Sequence, residues 1–374
     1  MTLATTLTLY VARRFLGATF AMLAGLTLLV ALFDFIELLR RAATRPDAGF
    51  ALVASIAALR LPFVALQILP FAILLGGILA FWRLTRSSEL VVARAAGISA
   101  WGFLSGPVLV ALLFGVIGTA AVSPLSSAML ARAERMDYAY LRNSAGLTAI
   151  AGGRLWLRQA DRGLDPQGVA ILSGRPVAAR PGDRPAGFEM TDVSLWRLAS
   201  SDRPLARIEA PRARLQPGRW MLEDSITFLT GRAAGRPETL FFPTDLTPDR
   251  IENSFASPDT LSFWALPGFI AVLEAAGFSA VRHQLHFQSL LALPVLAVAM
   301  ALLAAGFSMR PSRRGGVAQM IGAGVSAGFA LFVLDKITSE FGEAGTLPVE
   351  LAAWAPTVAG LLLALALLLH LEDG

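Results

Sequence analysis

The sequence predicts an α-helical integral membrane protein with six transmembrane helices, three on each side of an inserted β-rich domain. The first observation is composition: of 374 residues, 55% are hydrophobic and 16% are charged. A soluble protein has about a quarter of its residues charged. The second is distribution, because nearly all of the apolar excess falls in six windows and most of the charge in one long stretch. Membrane spans on both sides of a polar insert produce this pattern.

Each of the six windows has about 20 residues or more, enough to cross about 30 Å of hydrocarbon at about 1.5 Å per helical residue. Asp34 is the only charged residue inside them. The apolar run after Arg14 is longer than the h-region of a signal peptide, so it is predicted to be a retained span. The windows are 15–36, 61–82, 101–124, 284–309, 315–334 and 351–369. The predicted domains are 1–124 with three spans, 125–283 with the β-rich domain and its flanking helices, and 284–374 with three spans.

Basic residues in the short loops predict the orientation, because cytoplasmic loops carry an excess of Arg and Lys. With a cytoplasmic N-terminus, eight lie inside and four outside. Those inside are Arg13, Arg14, Arg83, Arg86, Arg94, Arg310, Arg313 and Arg314, and those outside are Arg40, Arg41, Arg45 and Lys336. Both termini are therefore predicted to be cytoplasmic, with residues 125–283 on the other side. The basic cluster after the first span departs from the general bias and is a candidate site for an anionic ligand.

The polar stretch contains predicted strands. Four segments alternate apolar and polar residues at period two, as half-buried strands do. They are 154–158, 188–190, 207–209 and 220–223, separated by turn residues at 180–183, 216–218 and 235–237. Several short strands with regular turns indicate a small sandwich or jelly roll. A helix over 130–142 is predicted to continue the third span, and Pro258 is predicted to open a short helix that ends near Gly277.

The sequence offers little that would support enzyme chemistry. It has no cysteine, which excludes disulfides and cysteine-bound metals. Its only lysine, Lys336, is not part of the Gly-rich loop of a P-loop ATPase. His283 and His286 lie three residues apart without an HExxH motif or a nearby third ligand, so neither a metal site nor a cofactor is predicted. The net charge of +5 is assigned to topology and anionic lipid rather than to nucleic acid.

The segment after the second span carries a family resemblance. Residues 86–99 read RSSELVVARAAGIS and predict a short amphipathic helix that Gly97 ends. Together with Pro70 and the LLGG run at 74–77, this segment resembles the LptF/LptG (YjgP/YjgQ) permease family, in which it forms the cytoplasmic coupling helix. The likeness extends over the whole chain and is greatest to the LptG branch. The segments that carry this are 245–249, 261–267, 310–316 and 351–356.

The resemblance implies a function and a set of partners. It implies a permease subunit of an ATP-driven ABC-type complex that extracts lipopolysaccharide from the Gram-negative inner membrane and passes it to a periplasmic bridge. The implied partners are an LptF-like permease, an LptB-like ATPase dimer and an LptC-like protein. It also implies that the inserted domain is a periplasmic β-jellyroll. Energy would come from the partner ATPase, in agreement with the lack of a P-loop in this chain.

Two groups of residues are the candidate sites. For coupling to the ATPase we expect Glu89 to meet a basic residue on the partner, with Leu90, Val91, Arg94 and Ile98 on the same segment. The simpler interpretation of Glu89 is a favourable charge in the first turn of a helix that Ser87 or Ser88 caps.

For the phosphates of lipopolysaccharide we expect Arg40 and Arg41 at the outer end of the first span, with Arg132 and Arg135 beyond the third. Generic contact with lipid headgroups is the alternative, and Glu37 is placed to pair with Arg41. We also expect inward strand positions such as Leu155, Leu157 and Leu222 to shelter acyl chains, unless the domain has an ordinary closed core.

A second class of function remains open from the sequence. It is an ATPase-independent protein, either a secondary carrier or a membrane-anchored periplasmic lipid-binding module. Carriers have ionisable residues deep in several helices, and here the candidates are Arg60, Asp34 and Asp335. Only the permease requires a stoichiometric cytoplasmic ATPase, so co-purification separates the two classes.

Overall fold

The computed structural model describes most of the chain. The described residues are 2–43, 49–87, 89, 100–137, 140, 148–151, 154–161, 168–177, 188–199, 203–229, 233–247, 251, 257–275, 278–309 and 317–372. The chain forms two compact units. A helical unit contains Met1–Arg142, Pro258–Pro267 and Val281–Gly374, and a sheet unit contains Asn143–Ser257 and Gly268–Ala280. The boundaries predicted from hydropathy, after residues 124 and 283, fall inside helices.

Long helices account for most of the helical unit. They are α1 (Thr2–Ala42), α2 (Phe50–Arg86), α3 (Ala100–Ile117), α4 (Ser123–Met136), α6 (Val281–Ser308), α7 (Val317–Glu343) and α8 (Val349–Glu372). A π-helical turn, Gly118–Val122, joins α3 to α4, and the short α5 (Leu266–Ala275) precedes α6. Within the described residues six helical stretches are long and apolar enough to cross a membrane, with α3, the π turn and α4 counting as one. The predicted arrangement of three and three is confirmed.

Glycines allow the helices of this unit to approach closely. A Cβ atom at Gly76 of α2 would lie 2.5 Å from the Thr19 Cα of α1, so the two backbones touch there. Gly324 and Gly328 of α7 likewise lie close to α2, against the side chains of Ile78 and Leu74. In hydrocarbon, where helix association depends on packing, small residues at interfaces have this role.

The substitution Gly76→Ala should lower the thermal stability of the purified protein in detergent. Its methyl group would meet backbone atoms that cannot rotate away, and overpacking of this kind costs about 1–3 kcal/mol. Gly25→Ala in α1 is the matched control, because no atom lies within 4 Å of its added Cβ. The control should be neutral or slightly stabilising, since Ala is the better helix former. Equal melting temperatures for the two variants would contradict this account of the α1–α2 contact.

The π turn is stabilised by a tryptophan from a distant segment. Pro124 has no N–H to donate, which leaves the carbonyl of Ala120 without its usual helical partner. The Trp264 indole supplies the donor, from Nε1 to Ala120 O at 3.1 Å. The Ser123 hydroxyl accepts from the Phe263 N–H at 3.3 Å. These bonds hold the segment before α5 against the α3–α4 helix.

Among the described residues, seven antiparallel strands form one sheet, and their order in the sheet is their order in the chain. They are β1 (Thr148–Ala151), β2 (Arg154–Ala160), β3 (Val169–Pro176), β4 (Glu189–Leu198), β5 (Pro204–Gln216), β6 (Arg219–Leu229) and β7 (Glu238–Pro243). The four segments predicted as strands fall at β2, β4, β5 and β6, and the predicted β domain is confirmed. The strand order, which the sequence left open, is that of consecutive hairpins. Gly218, with φ of +76°, forms the β5–β6 turn.

One face of the sheet carries the core of its unit. Leu155, Leu157 and Leu222, predicted to point inward, do so and are 0% exposed. They pack in a cluster with Trp220 and with Leu273 of α5. Buried side chains of the described residues therefore pack together on this face. The expectation that the domain shelters acyl chains stays a prediction.

The helix predicted to open at Pro258 begins differently. Pro258–Thr260 is a single 3₁₀ turn, and the α-helix starts only at Leu266. Pro267 lies in the first turn of this helix, where a proline is tolerated because its missing N–H would have no helical partner. The Ser262 hydroxyl accepts from the Ala265 N–H at 3.2 Å, which satisfies a donor at this second start.

Candidate functional site

The first of two charged sites lies where the start of α1 meets the end of α2. Arg14 Nε donates to Tyr10 Oη at 3.3 Å, one helical turn away on α1. Tyr10 Oη lies 3.5 Å from Oε1 of Glu89, 79 residues on in the chain. Ser87 Oγ donates to the same carboxylate oxygen at 2.8 Å. The predicted coupling residue Glu89 is therefore tied to α1 as well as to the end of α2.

Ser87 acts at the end of α2 instead of at the start of the next segment. It is the C-cap residue, and its hydroxyl lies 3.1 Å from Arg83 O and 3.2 Å from Leu84 O. The expectation that it caps the coupling segment is therefore not met for Ser87. Ser88 and the coupling residues Leu90, Val91, Arg94 and Ile98 lie outside the described residues.

A cleft of about 220 Å³ borders Glu89. Tyr10, Arg14 and Arg83 line it together with Glu89. Arg83 is exposed, and within the described part of the chain its guanidinium group has no hydrogen-bond or ion-pair partner. Two guanidinium groups and one carboxylate thus face a common opening, an arrangement suited to a partner surface of mixed charge.

The second charged site lies at the other end of α1, where it packs against the start of α2 and the end of α4. Apolar residues of the three helix ends form one cluster, and five of them are buried. These are Leu38, Ala42, Val53, Ile56 and Ala133. The helix ends that carry the four predicted phosphate ligands are therefore brought together.

Two of those ligands already have a partner. Glu37 accepts from Arg40 Nε at 2.8 Å and from Arg41 Nε at 2.9 Å. The pairing with Arg41 is the one that the four-residue spacing predicted. The two guanidinium groups are 77% and 42% exposed, and exposed ion pairs contribute little because water screens them. A phosphate can therefore compete with Glu37 for them.

Arg132 and Arg135 differ from Arg40 and Arg41 in their side-chain contacts. Both are exposed on α4, three residues apart and on one face of the helix. Neither has a hydrogen-bond or ion-pair partner among the residues the structure describes. They are the two predicted phosphate ligands with free guanidinium groups in that part of the chain.

A buried charge cluster lies next to these arginines. Arg60 of α2 donates from Nη1 to Asp34 Oδ1 of α1 at 3.0 Å, and its Nη2 lies 3.6 Å from Oδ2 of Asp137 at the end of α4. The side chain of Asp137 is 3% exposed and that of Arg60 is 19% exposed. We call these three residues the Arg60 cluster. Arg60 and Asp34 were predicted from the sequence as candidate ionisable residues, whereas Asp137 was not. The only feature of the sequence that indicates Asp137 is its charge at the end of a long apolar helix.

His283 and His286 lie in the first turns of α6. His286 Nδ1 lies 3.4 Å from Asp259 Oδ1, and His283 is buried. Among the described residues no group of three or more His, Cys, Asp or Glu side chains could hold a metal ion.

Known proteins resemble this chain over nearly its whole length. Residues 9–370 match the family described as "Lipopolysaccharide export system permease LptF/LptG". The lipopolysaccharide export system permease protein LptG of Escherichia coli (strain K12) is 26% identical over 312 residues, which cover 80% of this chain and 81% of that protein. The corresponding LptG of Haemophilus influenzae (strain ATCC 51907 / DSM 11121 / KW20 / Rd) is 23% identical over 359 residues, covering 94% and 95%.

The family match includes both groups of three membrane-length helices and the sheet between them. It also includes both charged sites. The resemblance on which the sequence analysis relied is confirmed: the chain belongs to the LptF/LptG family of lipopolysaccharide export system permeases.

Proposed function

We propose that this chain is the permease subunit of an ATP-driven complex that extracts lipopolysaccharide from the inner membrane and passes it to a periplasmic bridge toward the outer membrane. The observation that carries the proposal is the match to the export permease family over residues 9–370. Charged sites at the two ends of the α1–α2 pair support it, because a coupled transporter needs one site for the energy source and another for the anionic cargo.

The chain is a multi-pass inner-membrane protein. We propose that both termini are cytoplasmic and that the sheet unit is periplasmic. This orientation is supported by the short loops predicted to lie on the same side of the membrane as the N-terminus, because they contain more arginines than the loops on the opposite side. It places Glu89 and its cleft in the cytoplasm and Arg40, Arg41, Arg132 and Arg135 at the periplasmic surface.

The proposed partners are an LptF-like permease, an LptB-like ATPase dimer and an LptC-like protein. The sequence has no P-loop, so ATP hydrolysis would occur on another chain. The apolar windows of α1 and α7 are each only 22% buried, against 67% for that of α6. Two helices thus have wide apolar faces for a partner helix or for lipid.

Reconstitution tests the function directly. The full-length chain, purified with whatever proteins remain bound, would be placed in proteoliposomes with lipopolysaccharide and ATP. We expect a stoichiometric ATPase in the preparation and ATP-dependent transfer of lipopolysaccharide to a soluble acceptor. Transfer without any bound ATPase would overturn the proposal.

One observation favours the second candidate class, an ion-coupled carrier. The Arg60 cluster places two ionisable side chains inside membrane-length helices and a third, Asp137, directly after one. Ionisable groups within membrane spans often mark ion pathways. A carrier would respond to a proton or sodium gradient in the absence of ATPase. The same proteoliposomes, with a gradient in place of ATP, distinguish the two functions.

The contacts in the structure predict that the four arginines contribute unequally to phosphate binding. Reversing Arg132 and Arg135 to Glu should weaken lipopolysaccharide binding by about tenfold or more, because each charge-assisted hydrogen bond contributes about 1.5–3 kcal/mol. Reversing Arg40 and Arg41 should have a smaller effect, since Glu37 already engages them. Glu37→Gln should tighten binding by releasing both. Photo-crosslinking yield in the assembled complex is the measurement.

Arg236→Glu, an exposed charge of the sheet unit, is the control and should bind lipopolysaccharide as the wild type does. Unchanged crosslinking in the Arg132 and Arg135 variant would reject the assignment. Weaker crosslinking in the Glu37→Gln variant would also reject the assignment.

A further inference from the structure

The outward face of the sheet carries a row of aromatic, aliphatic and basic side chains across five strands. Direct cross-strand pairs join Arg158, Ile171, Trp196, Arg207 and Phe228, from β2 to β6. Adjacent strands are about 4.8 Å apart, so the row is about 19 Å long. We call these five residues the outward row.

Strand alternation places the outward row on the face opposite the core. Leu157, Leu172, Leu195 and Ile208 precede or follow its members in sequence and are all buried in the core cluster. Because side chains alternate between the two faces of a strand, the row points away from that cluster. Phe228 is 37% exposed, and Trp156, beside the row on β2, is 36% exposed.

The aromatic and basic groups of the row act together. The Trp156 and Trp196 rings lie within 9° of parallel, with centroids 5.7 Å apart. The Arg207 guanidinium carbon lies 5.6 Å from the Trp196 centroid. Arg158 is exposed and has no hydrogen-bond or ion-pair partner among the residues described, whereas Arg207 pairs with Glu209. Large aromatic residues exposed beside basic ones indicate a binding surface.

The side chains of the outward row indicate which class of ligand it would bind. Acyl chains do not suit it, because guanidinium groups and the Glu209 carboxylate interrupt the apolar surface. The negative face of an indole attracts C–H groups, which a sugar ring presents on its flat side. Guanidinium groups bind phosphate bidentately. A phosphorylated saccharide satisfies both features at once, and a short oligosaccharide matches the length of the row.

We propose that the outward row binds the phosphorylated saccharide portion of an anionic glycolipid. This inference rests on the proposed function, since lipopolysaccharide carries such a head group. The opposite face of the sheet has a different role in the fold, because its buried side chains pack into the core cluster. The sheet would then hold the cargo by its sugars while its acyl chains contact other surfaces.

Binding of a soluble probe tests the inference without transport. The full-length chain in detergent is titrated by calorimetry with the phosphorylated oligosaccharide left after the acyl chains of lipopolysaccharide are removed. Trp196→Leu and Arg207→Gln should each weaken binding by about tenfold, as loss of a stacking or charge-assisted contact does. Arg158→Gln should weaken it several-fold. Phosphatase treatment of the probe should have an effect similar to that of Arg207→Gln.

Phe241→Leu is the matched control. Phe241 is exposed on the same face, and Arg219 lies 4.4 Å from its ring centroid. It pairs with Met221, seven residues before Phe228 on β6, so it lies far from the row along the strand direction. It should bind the probe as the wild type does. Arg158→Gln changes an exposed side chain that makes no hydrogen bond or ion pair among the described residues, so it stays informative if Trp196→Leu fails to fold.

Wild-type affinity in Arg158→Gln and Arg207→Gln would overturn the inference, and so would a probe that fails to bind the wild type. Binding of the unmodified chain to neutral lipid vesicles through this face, without saccharide binding, would assign it to the membrane surface. The proposed function is judged separately, by ATP-dependent transfer in proteoliposomes. If the wild type transfers lipopolysaccharide but the row variants bind the probe normally, the outward row is rejected as a saccharide site and the proposed function stands. If the row variants weaken probe binding but the wild type shows no transfer, the proposed function is rejected and the row stands.

Discussion

Replacing Arg60 with leucine should destabilise the helical unit by about 3 kcal/mol, the lower end of the range for breaking a buried ion pair. The substitution removes the cation between two carboxylates, and the side chain of Asp137 is only 3% exposed. Water cannot readily solvate that charge, so it carries most of the cost. Asp34 is 28% exposed and should contribute less. The measurement is the thermal midpoint of the purified protein in detergent, compared with the wild type.

Two further variants separate a buried ion pair from lost packing. Arg282→Leu removes the cation of an exposed pair, in which Arg282 and Glu343 are 58% and 42% exposed, and should cost less than about 1 kcal/mol. The triple variant Asp34→Asn, Arg60→Leu, Asp137→Asn removes all three charges and should recover much of the loss, because it leaves no carboxylate charge without the Arg60 cation. A triple variant no more stable than Arg60→Leu would show that packing, not charge, explains the effect.

The Arg60 cluster also orders the proposed phosphate site. It connects α1, α2 and the end of α4, and the four arginines extend from two of these helix ends. A buried polar network costs stability compared with an apolar contact of the same size, so its benefit is a fixed arrangement of the groups around it. If the cluster opens, Arg132 and Arg135 lose their fixed position relative to Arg40 and Arg41.

Hydropathy and strand alternation predicted most of the fold. The six windows became six membrane-length helical stretches, because a span must be long and apolar whatever it packs against. Strands β2, β4, β5 and β6 were predicted because one face of each is solvated, which imposes period two. Strand β3 was missed: Ala170, Leu172, Ser173 and Gly174 are all buried, so its sequence does not alternate.

The charged sites were harder to predict, for a physical reason. Glu89 was identified because the segment around it has a local pattern. Asp137 lies far along the chain from Asp34 and Arg60, and their proximity depends on how three helices pack. The same is true of Tyr10, whose hydroxyl reaches Glu89 across 79 residues of sequence. Local patterns identify residues, but their partners follow from tertiary packing.

Glu89→Arg should abolish ATP-driven lipopolysaccharide transfer, the largest functional effect that we expect of one substitution. In the proposed complex Glu89 meets a basic residue of the ATPase at the cytoplasmic end of α2. A guanidinium there adds to Arg14 and Arg83, so the cleft would repel that residue. Truncating one partner of a desolvated charge pair at an interface costs about 2–5 kcal/mol, and reversal of the charge costs at least as much. The measurements are ATPase co-purification and transfer in proteoliposomes.

Two milder variants decide between an interface role and a local one. In the structure Glu89 accepts hydrogen bonds from Tyr10 and Ser87, so its role could be confined to holding α1 against the end of α2. Tyr10→Phe removes the α1 contact and leaves the carboxylate free for the ATPase. If coupling depends on the charge, Tyr10→Phe should retain ATPase binding while Glu89→Gln reduces it. If the local bonds matter, both variants should lose transfer equally with the ATPase still bound.

Charge exchange with the partner gives the strictest test. Glu350→Arg, at the exposed first turn of α8, controls for the added positive charge and should leave ATPase binding and transfer unchanged. An ATPase variant in which a basic residue facing Glu89 becomes acidic should restore ATPase binding and transfer to Glu89→Arg. It should not restore them to a permease variant whose ATPase contact is lost for a reason other than charge. Full ATPase recovery with wild-type transfer in Glu89→Arg alone would refute the coupling role, because a reversed charge at a desolvated interface cannot be neutral.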